Sequence, residues 1–85
     1  MPYIKQVDRP AIDAYVNQVA IAHEGDLNYA ITQLVLRYLP ANPRYADYNT
    51  VVGVLESAKL EFYRRAVAKY EDQKAFDNGD VYDKR

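Results

Sequence analysis

The stretch "GVLESAKLEFYRRAVAKY", residues 53–70, decides the fold. It contains no proline, and its apolar residues recur at three and four, which predicts a single unbroken helix. With Val51 at the zero of a helical wheel, Val52, Val54, Leu55, Ala58, Phe62, Tyr63, Ala66 and Tyr70 fill one broad arc, which Leu60 and Val67 widen. A helix apolar over this much of its circumference is buried on more than one side. Lys59 and Arg65 nevertheless fall within that arc. Leu55 and Phe62 are the expected core residues of this spine, and Gly53, lacking a side chain, would admit a close neighbouring backbone.

Working outward, the third helix is predicted over about residues 48–76, capped by Asp47 or Asn49 and ended by Asn78-Gly79. Pro40 and Pro43 make the preceding stretch a connector. Before it, Leu27, Ala30, Ile31, Leu34, Val35 and Tyr38 mark the inner face of a second helix, about 26–39, with Asn28 at its edge. Tyr29 and Leu36 lie on the opposite side, where a helix packed on one side only would be polar. Ile12, Tyr15, Val16, Val19, Ala20 and His23 trace a first helix, about 9–24, with Asp8 as cap, Pro10 in the first turn and Gly25 as terminator. Residues 77–85 form a tail. The expected architecture is an all-α, single-domain, three-helix chain of residues 1–85, whose long C-terminal helix contributes to an intersubunit helical bundle.

Eighty-five residues without a cysteine leave no disulfide or thiolate site to support a small core. Self-association is then the remaining source of stability, and two of its own helices cannot cover the third. A homodimer or higher oligomer is expected, with Tyr29, Leu36, Tyr63 and Tyr70 at the interface. Nine tyrosines against two phenylalanines suit core edges and loop packing, where an apolar body carries a polar tip, or a subunit interface, where tyrosine is enriched. A net charge of −1 argues against a nucleic-acid polymer as partner, which requires clustered positive charge. No apolar run reaches the ~20 residues of a membrane span, and MPYIKQVDRP lacks the apolar segment of a secretory signal. The expected location is the cytoplasm.

No catalytic or cofactor signature emerges, so the expectation is a non-enzymatic protein with no catalytic residues, no cofactor and no metal. His23 is the only histidine, and zinc does not favour sites built from carboxylates alone. Glycines at 25, 53 and 79 are too scattered to cradle a phosphate. A catalytic triad from Ser57 and His23 has only arithmetic behind it. Asp77-Asn78-Gly79-Asp80 lacks the spacing and closing glutamate of a calcium loop.

Lys59 and Arg65 carry three readings. Their stems can lie along apolar surface with the charge at its edge. They can pair with carboxylates such as Glu56 and Glu61, which stand three and four residues away. Or, with Asn28, they can hold a small anionic ligand such as a nucleotide where subunits join.

"EGDLNYAITQLVLRYLP" and "YADYNTVVGVLESAKLEFYRRAVAKYEDQKAFDNGDVY" resemble a small family of uncharacterised proteins from phages, bacteria and environmental sequences. The resemblance runs from Met1 to Tyr82 and implies no biochemistry. Lys69 stands where the family pattern leads one to expect proline, which favours an unbroken third helix. A fainter similarity, Leu55 to Ala68, is to the helical hairpin of phage proteins that sequester cyclic nucleotide signals. It rests on a Leu-Glu-x-Ala pattern and a later Arg-Ala, and it assigns no binding residues.

Overall fold

The computed structural model describes residues 1–82. It is 73% helical with no strands among these residues, and comprises three helices, the last 34 residues long. A 3-10 turn, Gln6–Asp8, leads into α1, Arg9–Val16; α2 is Glu24–Tyr38. The long helix, α3, consists of Tyr45–Phe62, a π turn Tyr63–Val67, and Ala68–Asn78. The chain divides into two units, Pro2–Gly53 and the residues from Val54 onward with Met1.

In the first unit the helix ends differ from the sequence reading. Asp8 stands at the N-cap of α1 but makes no side-chain capping bond. It is the last residue of the 3-10 turn, with φ −91° and ψ −5°, whereas a capping side chain needs extended backbone. The helix then stops at Val16 instead of reaching residue 24. The Gln18 N–H bonds back to Tyr15 O (3.3 Å) and the Val19 N–H to Val16 O (3.1 Å), a tightened last turn. Beyond it Val19 and Ile21, stiff at χ1, do little to extend a helix. The last part of the expected α1 stripe, Val19, Ala20 and His23, is therefore not helical.

Gly25 does not terminate a helix but lies in the first turn of α2, and its φ is not positive. The cause is Asp26, whose Oδ2 accepts hydrogen bonds from the N–H groups of Ala22 (3.1 Å) and His23 (3.2 Å). That reach-back, with Glu24 also in the first turn, satisfies donors outside the intrahelical ladder and places negative charge at the positive helix end. His23, extended at φ −126° and ψ 161°, is the N-cap.

The same device starts α3. Asp47 Oδ2 accepts from the Arg44 N–H at 2.9 Å, so Asp47 is the third residue of the helix, and α3 begins at Tyr45, three positions before the expected start. Between the helices Pro40 forces Leu39 to ψ 139°, which ends α2. Removing Asp26 costs two hydrogen bonds and removing Asp47 one, each with one favourable charge. Asp26→Ala and Asp47→Ala should each destabilise by about 1 kcal/mol. Denaturant melts check this, and unchanged midpoints for both would refute it.

Among the described residues none is buried. In the first unit Ala30, Val35 and Leu39 are half-buried, as is Asp47. Val16, Val19, Ile21, Leu27, Ile31 and Leu34 line an open concavity of about 830 Å³. In the second unit Leu55 and Phe62, expected in the core, are 42% and 64% exposed. The reason is simple: this unit contains little beyond one helix and a short tail, so nothing within it covers the helix. Gly79, at φ 94°, closes α3, its N–H reaching Ala75 O at 2.9 Å. A positive φ costs glycine least. Val81 and Tyr82 are exposed. The part of the expected tail from Asp83 to Arg85 lies outside the described residues.

Candidate functional site

The chemistry-bearing residues of the second unit sit on one continuous helix, positioned by its periodicity. Lys59 Nζ lies 3.0 Å from Glu56 Oε1, both side chains more than half exposed. Arg64 donates to Glu61 Oε1 at 2.7 Å, and the glutamate side chain retains only 23% exposure. Both pairs span three residues and match the acid–base spacing of the sequence. Pairs of this kind contribute ~0.2–0.5 kcal/mol on exposed helices, so they trim the surface and do not hold the fold. Arg65 makes no ion pair among the described residues.

Arg64 and Arg65 both lie in the π turn. There the Ala68 N–H bonds to Tyr63 O, five residues back instead of four. Such single-turn insertions recur at functional sites. Nothing in the residue types of the YRRAV segment signals one.

Asn28 belongs to the first unit, and Lys59 and Arg65 to the second. The Asn28 carbonyl accepts from Thr32 Oγ1 at 2.9 Å. With Glu24, Gly25, Tyr29 and Thr32, Asn28 lines a shallow depression of about 510 Å³. Its only charged lining group is the Glu24 carboxylate, which does not favour an anion.

The four tyrosine and leucine residues expected at an interface, Tyr29, Leu36, Tyr63 and Tyr70, are all more than half exposed in the single chain. Lys74 Nζ stands 5.5 Å from the centre of the Tyr70 ring, within cation–π range. No group of three or more histidine, cysteine, aspartate or glutamate side chains that could hold a metal occurs among the described residues. No helix among them is long and apolar enough to cross a membrane.

The described residues thus define an all-helical protein with a long C-terminal helix. The family model Domain of unknown function (DUF6899) matches residues 1–81, and the chain belongs to that family. No curated protein and no solved structure matches it.

Proposed function

We propose that the protein is a non-enzymatic module that works by associating with copies of itself through α3, most simply as a dimer. One observation carries the reading. From Val54 onward, Leu55, Leu60, Phe62 and Tyr70 of α3 are exposed and nothing within that unit covers them. A helix apolar over so much of its circumference is ordinarily covered on more than one side. Closed symmetric dimers are the commonest way to bury such a surface. Sedimentation at high micromolar concentration tests it: a dimeric or larger mass is expected, and a monomeric mass would overturn it.

A second reading is favoured by Arg65 alone, a cation without an ion pair among the described residues. In this reading the assembly holds a small anionic ligand, such as a nucleotide, with Arg65 and Lys59 where subunits join. Nucleotide or inorganic phosphate should then raise the melting temperature of the parent but not of Arg65→Met or Lys59→Met. Equal responses from all three proteins would rule this out.

A further inference from the structure

We draw no further inference here: the strongest candidate, the open apolar concavity of the first unit that Val16, Val19, Ile21, Leu27, Ile31 and Leu34 line beside α2, is an unpartnered surface, and nothing in the structure shows what covers it.

Discussion

Replacing Phe62 by alanine should not lower the helix propensity of the single chain but should weaken its association by about 3–5 kcal/mol per buried ring. The two effects separate because Phe62 is 64% exposed in the chain by itself. Little is lost there when the ring is removed, and alanine is the better helix former by several tenths of a kcal/mol. The cost arises only where a partner closes over the ring, through lost apolar burial and the cavity left behind. In dissociation constant it amounts to roughly 10²- to nearly 10⁴-fold. Sedimentation of Phe62→Ala beside the parent measures it. A variant that associates as tightly as the parent would show that this ring faces water in the assembly.

Thermal stability should depend on protein concentration. A helix with nothing packed against it is marginal in water, because tertiary burial and not intrinsic propensity supplies most helical stability. If α3 is covered by a second copy, unfolding and dissociation are one event, and each tenfold dilution removes about 1.4 kcal/mol from the dimer. Two chains of 85 residues carry an unfolding entropy of roughly 0.36 kcal/mol/K, so the midpoint should fall about 4 °C per tenfold dilution. Calorimetry or circular dichroism over two decades of concentration checks this. A midpoint that does not move would mean that each chain is stable alone, and the apolar surface of α3 would need another explanation.

Several elements are legible in the residues alone because their causes are local. Pro40 ends α2 by excluding helical backbone at Leu39, and Gly79 ends α3 because it adopts positive φ at little cost. The apolar spacing of residues 53–70 marks a helix with too much surface to leave uncovered. The Glu56–Lys59 and Glu61–Arg64 pairs follow from spacing by three.

The start of α2 was also written locally, in Asp26, but Gly25 invites the opposite reading, since glycine is a common helix terminator. A carboxylate two residues into a helix that bonds two N–H groups outside it outweighs that preference. The same signal in Asp47 sets the start of α3. Where α1 ends, and whether residues 63–67 close hydrogen bonds to the fourth or fifth residue back, depends on the folded chain. Both alternatives satisfy the same backbone groups with the same residue types, so side-chain identity does not separate them. Sequence therefore determined a long helix with a broad apolar arc. The three-dimensional structure decided which residues that helix presents, because a single extra residue in one turn rotates all that follow by about 100°.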